Sequence, residues 1–321
     1  AGFYTWFNVQ NAGTNDANVT VESVKGSDGC DYTEAAATIK PGAAKTYDQR
    51  DMDSQLCGKF IGSAKVTSNE PIVATVMQTG EPYKMLIGYH GFPEGATEVS
   101  LHLIMSNNSG FYTAFQVQNI GSADTTINIE YGKDIQGRPK PADESRAIGA
   151  GKSETFQQNT GQFASLTYVG SATITSAQPI VVIVNQHKLS GGTTVGTSYK
   201  GFDSAKATSK TSAPLIMANN SGYYTGVQVM NVGSSATTVT LDFGPNSKGG
   251  YNPPDETATL QPGDSYNTLQ NDPGKGWAGN PYVGSLAVSA SGASDQIVMI
   301  VNEQRVPFVG DDFMTYGGFN Y

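Results

Sequence analysis

The sequence predicts an all-β chain made of three tandem antiparallel β-sandwiches. Three observations lead to this prediction: one phrase occurs three times, apolar and polar residues alternate with a period of two, and turn residues recur at short intervals. The composition agrees, because charged residues make up only 15% of the 321 positions, whereas glycine occurs 38 times and tyrosine 16 times. Such a chain favours strands and turns over helices.

The repeated phrase marks three copies of one unit. It reads LIMSNNSGFYTAFQVQNIGS at 103–122 and LIMANNSGYYTGVQVMNVGS at 215–234, and the chain opens with AGFYTWFNVQNAGT. The glycine ahead of the aromatic pair recurs at Gly2, Gly110 and Gly222. This period, about 110 residues, suits whole domains rather than the short units of a solenoid. The predicted domains, called repeats 1, 2 and 3 below, are residues 1–95, 96–205 and 206–321.

Within each copy the side chains alternate between two faces. In the segment 113–118, Phe115 and Val117 alternate with Gln116 and Gln118, so apolar groups face one side and amides the other. The segments 126–131 and 237–243 show the same pattern. About seven such strands in each copy can close two sheets over a core, which predicts a sandwich of the immunoglobulin-like type.

Turns and joints complete the predicted layout. Asn-x-Gly follows the first strand of each copy and predicts a tight connection, because Asn and Gly tolerate positive φ. The apolar run Pro179–Val184 predicts a strand buried on both faces, with Pro179 at its first residue, where a missing N–H costs least. The segment Asp203–Ser212 is polar and rich in Ser, Thr and Ala, so we expect a linker there.

These turn and strand segments resemble those of a known family. The phrase VQNIGSADTTINIEYG, followed by an Ala-Gly turn and the segment GSATITS, resembles the immunoglobulin-like, adhesion-related repeats of prokaryotic surface proteins. The resemblance extends over all three copies and implies an extracellular, repetitive and non-catalytic protein. It transfers no functional residue to this chain, because the shared positions are turn and core positions.

Repeat 1 differs from the other two at its start. Repeats 2 and 3 are introduced by the apolar segments Val99–Met105 and Ala213–Met217, each of which predicts a first strand, whereas nothing similar precedes Gly2. A sandwich without this strand exposes apolar core and unpaired N–H and C=O groups. Either residues upstream of Ala1 supply the strand, or a neighbouring molecule donates it. The apolar tail Phe308–Tyr321 is a candidate donor, although part of it matches the ordinary end of repeats 1 and 2.

The two cysteines of the chain, Cys30 and Cys57, both lie in repeat 1. Two cysteines in one small unit predict a disulfide and therefore an oxidising, extracytoplasmic setting. The alternative is a pair of buried free thiols in a cytosolic protein.

Charge and hydropathy exclude two classes of partner. The formal net charge is −9 and no run of Lys or Arg occurs, so we do not expect nucleic acid to bind. No stretch of 18 apolar residues is present, so we expect no membrane span.

Three Asn-x-Ser/Thr sequons are candidate glycosylation sites. They begin at Asn18, Asn107 and Asn219, and the last two occupy equivalent positions. The alternative for these two is that Asn-Asn-Ser-Gly simply forms a good turn.

Acidic pairs in loops allow Ca²⁺ as a cofactor, but we favour solvated acidic loops, because no full set of ligands can be assembled from these pairs. The pairs are Asp51/Asp53, Asp143/Glu144, Asp255/Glu256 and Asp311/Asp312. The histidines His90, His102 and His187 do not have metal-ligand spacing, and we expect His102 to be partly exposed within its strand. No nucleophile elbow or phosphate loop occurs, so we predict no catalytic residue, no required cofactor and no enzyme activity.

Together these features predict an extracellular structural protein, namely a filament, sheath or surface-layer subunit or an adhesion stalk. Its main partner would be a second copy of itself in a head-to-tail homopolymer, with strand complementation of repeat 1 as the contact. The alternative is a secreted array of carbohydrate-binding or adhesin modules that does not polymerise and binds cell-surface glycans. Its basis is the recurrent aromatic residues, which suit core packing equally well: Phe3, Phe111, Tyr223, Phe60, Tyr168 and Tyr282.

Overall fold

A computed structural model describes residues 2–80, 84–188, 194–277 and 279–321. The chain is all-β, with several antiparallel sheets, as predicted. Short 3₁₀ helices lie at Gly161–Phe163, Ser204–Lys206 and Pro273–Lys275. Within the described ranges, no helix is long and apolar enough to cross a membrane.

Repeat 1 forms two sheets. Its strands are β1 Phe3–Asn11, β2 Ala17–Asp28, β3 Tyr32–Thr33, β4 Ala37–Ile39, β5 Ala44–Asp48, β6 Ile61–Ser68, β7 Ile72–Gly80 and β8 Met85–His90. One sheet has the order β5-β1-β7-β8, and in the other β2 pairs with β3, β4 and β6. Apolar side chains of β1 and β2, among them Val9 and Val19, meet in a common hydrophobic cluster.

Repeat 2 has the same order of strands, but one long strand belongs to both of its layers. Its strands are β9 Ala96–Ser106, β10 Phe111–Asn119, β11 Thr125–Tyr131, β12 Glu144–Ile148, β13 Ser153–Gln157, β14 Tyr168–Lys188, β15 Val195–Lys200 and β16 Phe202–Asp203. The first half of β14 pairs with β9 and β11, and the second half pairs with β10 and β15. The register with β9 shifts between Thr175 and Ile180. Pro179 therefore lies at a change of register inside β14 and does not begin a strand as predicted.

Repeat 3 again forms two sheets. Its strands are β17 Lys210–Ala218, β18 Tyr223–Asn231, β19 Thr237–Phe243, β20 Glu256–Leu260, β21 Ser265–Leu269, β22 Tyr282–Ala290, β23 Ile297–Arg305, β24 Phe313–Gly317 and β25 Phe319–Asn320. Their orders are β20-β19-β22-β17-β25 and β21-β18-β23-β24. The predicted alternation is confirmed, since Val239, Leu241 and Phe243 on β19 are buried while Thr238 and Asp242 are exposed.

The segment between repeats 2 and 3 is ordered and packed rather than a linker. Phe202–Asp203 pairs with β9, and β17 already begins at Lys210. Ser204 and Thr211 are buried within this segment. The linker prediction for Asp203–Ser212 was wrong because polar composition alone does not show that a neighbouring sheet covers the segment.

The recurrent asparagine at the end of β1, β10 and β18 has a structural role that differs from the predicted one. Asn119 is fully buried, and its Nδ2 donates to Ala123 O and Ile148 O at 2.8 and 3.2 Å. Its Oδ1 accepts from Gly121 N at 2.9 Å. Neither Asn119 nor Gly121 has a positive φ. The asparagine therefore joins three backbone segments through its side chain, and its equivalents Asn11 and Asn231 do the same.

Replacing Asn119 with alanine should lower the free energy of unfolding by about 2–3 kcal/mol, because buried carbonyl and N–H groups lose their partner. Denaturant unfolding followed by circular dichroism measures this change. Asn128→Ala is the matched control, since Asn128 is exposed on β11 and bonds only to the Ser145 hydroxyl in the described contacts. Equal stabilities for the two variants would contradict the assigned role.

Candidate functional site

The outer edge of β6 is the most unusual feature of the fold. Among the residues that the structure describes, β6 pairs with β2 and has no strand on its other edge. The equivalent part of β14 lies between β11 and β9, and β22 lies between β19 and β17. In repeats 2 and 3 this edge is paired with β9 and β17, the strands that the apolar introducing segments predicted. In the part of repeat 1 that the structure describes, this sheet edge is therefore free, whereas the equivalent edges of the other two repeats are paired.

The open edge leaves apolar side chains of β6 uncovered. Ala64 is exposed and Val66 is only half-buried. Their equivalents beneath β9 and β17 are fully buried: Ala172, Ile174, Leu286 and Val288. The difference lies in the missing neighbour, because the residue types at these positions remain apolar in all three repeats.

The facing sheet of repeat 1 shows the same lack of cover. Ile72 and Val76 on β7 are half-buried, whereas their equivalents have no exposed surface: Ile180, Val184, Ile297 and Val301. Phe60, just before β6, is also half-buried, although its equivalents Tyr168 and Tyr282 are fully buried. We call the surface formed by Phe60, Ala64, Val66, Ile72 and Val76 the repeat 1 groove.

The two complete repeats show which kind of strand fits such a groove. In repeat 2, Leu101 lies opposite Ala172, and in repeat 3, Ala213 lies opposite Leu286. A large side chain thus meets a small one across each pair, as close packing requires. Because repeat 1 has Ala64 at this position, the groove fits an antiparallel strand with a large apolar residue opposite Ala64.

The apolar tail is not a free donor in this structure. Phe313–Gly317 pairs with β23, and Phe319–Asn320 pairs with β17. Phe313 is buried in the same chain. The candidate donor Phe308–Tyr321 is therefore largely used within repeat 3, which agrees with its match to the ends of the other repeats.

The predicted disulfide between Cys30 and Cys57 is present, with Cα atoms 5.6 Å apart. It joins the end of β2 to the loop that leads into β6. Met52 and Leu56 in that loop are buried in the hydrophobic cluster of repeat 1. The bridge therefore fastens a loop that closes one end of this core.

All three sequon asparagines are exposed, but they differ in what their amide nitrogens contact. The Asn107 Nδ2 donates to Phe163 O and Leu166 O at 3.2 and 2.9 Å. The Asn219 Nδ2 donates to Trp277 O and Asn280 O at 2.6 and 3.0 Å. Both asparagines have positive φ, at 49° and 47°. These features support the turn interpretation at both positions.

The third sequon is exposed. Asn18 lies on β2, and its Oδ1 accepts from the Thr38 hydroxyl at 3.1 Å. Its side chain lies on the exposed side of β2. It differs from Asn107 and Asn219, which are also exposed, in lying on a strand instead of a turn with positive φ.

The acidic pairs are bonded mainly to protein groups. Asp143 forms an ion pair with Lys140 at 3.0 Å, and Glu256 forms one with Lys275 at 2.8 Å. Asp311 accepts hydrogen bonds from Leu86 N and Gly196 N, at 2.9 and 3.0 Å, and thereby connects all three repeats. Over the described part of the chain, no group of three or more His, Cys, Asp or Glu side chains is placed to hold a metal ion.

Two histidines are buried between aromatic rings. His102 is 3% exposed and contacts Tyr199 and Phe202, so the expectation of partial exposure was wrong. His187 lies 5.8 Å from the Phe3 ring and 5.6 Å from the Tyr112 ring. Burial lowers the pKa of each imidazole to about 4. Both histidines are therefore neutral at pH 7.

The recurrent aromatic residues that begin β14 and β22 belong to the core. The Tyr168 hydroxyl donates to Gly132 O at 2.9 Å, and the Tyr282 hydroxyl donates to Gly244 O at 2.7 Å. Both rings are fully buried. These two tyrosines are not available to stack on a sugar.

Comparisons with known proteins do not place the chain in a family. No family model matches it, and no curated protein matches it. Among solved structures, a protein of Thermotoga maritima aligns with 34% of this chain and 94% of its own, with 15% identity and a TM-score of 0.29. A similarity at this level carries no argument about fold or function.

Proposed function

We propose that this chain is an extracellular structural protein, the subunit of a filament, sheath or surface layer, built from three immunoglobulin-like sandwiches. A strand from a neighbouring copy completes repeat 1 by pairing with the open edge of β6. The observation that carries the proposal is the repeat 1 groove, whose two equivalents are each filled by an antiparallel strand.

The energetics favour occupation of the groove. An uncovered strand edge with apolar neighbours promotes pairing with another chain, and added strands gain backbone hydrogen bonds as well as apolar burial. In repeat 2 the filling strand buries Leu101 and Ile104 completely. Burial of each such side chain contributes about 1.5–3 kcal/mol. A contact that joins different surfaces of identical subunits extends into an open fibre unless its rotation closes a ring.

The extracellular setting is supported by the disulfide between Cys30 and Cys57. Structural disulfides form and persist in oxidising compartments and are rare in the cytosol. The sheets and separate hydrophobic clusters support a passive, load-bearing role, because each repeat carries its own core.

The function is tested by placing a charge in the groove. Ala64→Asp should leave the isolated chain folded, since Ala64 is exposed, but should prevent assembly, because strand addition would bury an unpaired carboxylate. Thr67→Asp is the matched control on the exposed, outward side of β6. We expect fibres of the unaltered chain and of Thr67→Asp in negative-stain micrographs, and monomers of Ala64→Asp in size-exclusion chromatography.

Two outcomes would contradict the proposal. One is an unaltered chain that stays monomeric at all concentrations. The other is a monomer in which the β6 amides that point away from β2 are protected from hydrogen exchange, which would show that residues of the same polypeptide fill the groove.

A further inference from the structure

The junction between repeats 2 and 3 is formed around a buried glutamine. Gln228 on β18 is 1% exposed, and its Nε2 lies 2.8 Å from Gly170 O and 2.5 Å from His102 O, both in repeat 2. The Ser171 hydroxyl returns a bond to Gly263 O at 2.6 Å. A side chain of repeat 3 is thus hydrogen-bonded to two backbone oxygens of repeat 2.

The junction between repeats 1 and 2 uses the same contact. Gln116, the equivalent of Gln228, donates from Nε2 to Gly62 O at 2.8 Å. Gly62 is the equivalent of Gly170, so the same two surfaces meet at both junctions. We call the glutamine side of a repeat, on β1, β10 or β18, its front face. The side around Gly62, Gly170 or Gly284 is its rear face.

A charge pair accompanies each junction, with its sign reversed. Lys152 on the front face of repeat 2 pairs with Asp31 of repeat 1 at 3.0 Å. Asp264 on the front face of repeat 3 pairs with Lys133 of repeat 2 at 3.3 Å. The reversed signs make each front face specific for its own rear face, because exchanging the two rear faces would place like charges next to each other.

One rear face and one front face have no partner within the described residues. On the rear face of repeat 3, Pro214 and Ser285 are exposed and Leu215 is half-buried. The equivalents on repeat 2, which repeat 3 covers, are buried: His102, Ser171 and Leu103. On the front face of repeat 1, Val73 is 55% exposed, whereas its equivalent Val298 in repeat 3 is fully buried.

The two unpartnered faces lack the charge pair that accompanies each internal junction. Ala43 is the equivalent of Lys152 and Asp264. The backbone oxygen of each of these three residues accepts a hydrogen bond of 3.0 Å from the backbone N–H of the asparagine that ends β1, β10 or β18. Pro245 is the equivalent of Lys133, because each follows a glycine with the same contact. The Gly132 N–H donates to Ser171 O, and the Gly244 N–H donates to Ser285 O. Both end positions are neutral, so neither face would bury an unpaired charge here if the two met.

The front face of repeat 1 also differs from the front face of repeat 3 in the size of its side chains. The front face of repeat 1 has Asn8 in place of the inserted glutamine, and Trp6 in place of Gly226. At the junction of repeats 2 and 3, Gly226 leaves a pocket that is also lined by Leu103 and Val169. The equivalent of this pocket on repeat 3 would receive the Trp6 indole, and a buried Trp is a frequent anchor of protein interfaces.

We propose that the front face of repeat 1 binds the rear face of repeat 3 in a second copy of the chain, repeating the internal junction between molecules. This inference rests on the proposed head-to-tail assembly and names the surface on which neighbouring subunits stack. The contact joins two different faces, so it extends the row of repeats without a fixed end. The strand in the repeat 1 groove is then a second, separate contact between the same neighbours.

The test sets the charge at the two neutral positions. Ala43→Asp with Pro245→Lys copies the pair of repeats 2 and 3, whereas Ala43→Asp with Pro245→Asp places like charges at the contact. Ala43 and Pro245 are both exposed, so the isolated chain should fold equally well in both variants. At low salt we expect the Asp/Lys chain to assemble at or below the concentration needed by the unaltered chain. The Asp/Asp chain should need at least tenfold more, and added salt should reduce the difference.

A fluorescence readout reports the contact itself. Trp6 and Trp277 are the two tryptophans, and Trp277 is already buried at 1% exposure. Assembly should therefore shift the Trp6 emission to shorter wavelength in a Trp277→Phe chain.

The outcomes separate the two proposals. Equal assembly of the Asp/Lys and Asp/Asp chains, with Ala64→Asp still monomeric, would overturn this inference and leave the proposed function standing. An unaltered chain that never assembles would overturn both.

Discussion

Replacing Cys30 and Cys57 together with serine should lower the free energy of unfolding of the disulfide-bearing part of the chain by about 3–4 kcal/mol. The bridge closes a loop with a sequence separation of 27 residues, and its loss restores the conformational freedom of the unfolded loop. The effect should be severe because repeat 1 has the least complete core. Its Val66 and Val76 are half-buried, while the equivalent side chains in the other repeats are fully buried.

The two tryptophans allow this effect to be assigned to a repeat. Trp6 lies in repeat 1 and Trp277 in repeat 3, so single-tryptophan chains report each end of the molecule during urea unfolding. We expect the Trp6 transition to move to lower urea and the Trp277 transition to move less. Reducing agent should reproduce the shift in the unaltered chain and leave the double serine variant unchanged. Coincident transitions with and without the bridge would contradict the role assigned to it.

Acid should destabilise the chain through its two buried histidines. Burial sets the pKa of His102 and His187 to about 4, below the ordinary value of 6.5. Because the folded state disfavours the protonated form, their full contribution to stability is present above pH 6.5 and is lost as the pH falls towards 4. At pH 5 the loss should be about 2 kcal/mol for each histidine.

The same change should weaken the packing of neighbouring repeats. His187 in repeat 2 contacts the Phe3 ring of repeat 1, and the His102 backbone oxygen accepts from Gln228 of repeat 3. Protonation at these places puts charge next to both junctions.

The acid effect is measured as the difference in unfolding free energy between pH 7 and pH 5. A chain with His102→Gln and His187→Gln should lose about 4 kcal/mol less than the unaltered chain over this interval. His90→Gln is the control, since His90 is exposed. Comparison of variants cancels the contribution of Glu303 and Asp311, whose pKa values are raised by burial. Equal pH dependence of the unaltered chain and the double variant would rule out the histidines as its source.

The repeat phrase and its alternation were sufficient to predict the strands, and the presence of both cysteines in repeat 1 predicted the disulfide. Phe115 and Val117 are buried as expected because alternation along a strand is a local property. The introducing segments were also correctly read as the strands β9 and β17. The open edge in repeat 1 follows from the same comparison between copies.

Contacts between repeats could not be predicted, because they depend on residues distant in sequence. Alternation placed Gln116 on the face opposite the apolar side chains, yet it donates to Gly62 O of repeat 1, and its equivalent Gln228 is buried against repeat 2. The sequence contains one signal of this contact. Glutamine recurs at Gln116 and Gln228, whereas the next position on the same face changes from Gln118 to the apolar Met230. His102 was misjudged for the same reason, since Tyr199 and Phe202, which contact it, come almost 100 residues later.

The most direct test is a cryo-electron microscopy reconstruction of the assembled protein at a resolution that separates β-strands. A strand of a neighbouring subunit should run antiparallel to Ile61–Ser68, with a large apolar side chain opposite Ala64. An assembly in which this edge of β6 faces solvent, or in which residues of the same polypeptide occupy it, would contradict the account.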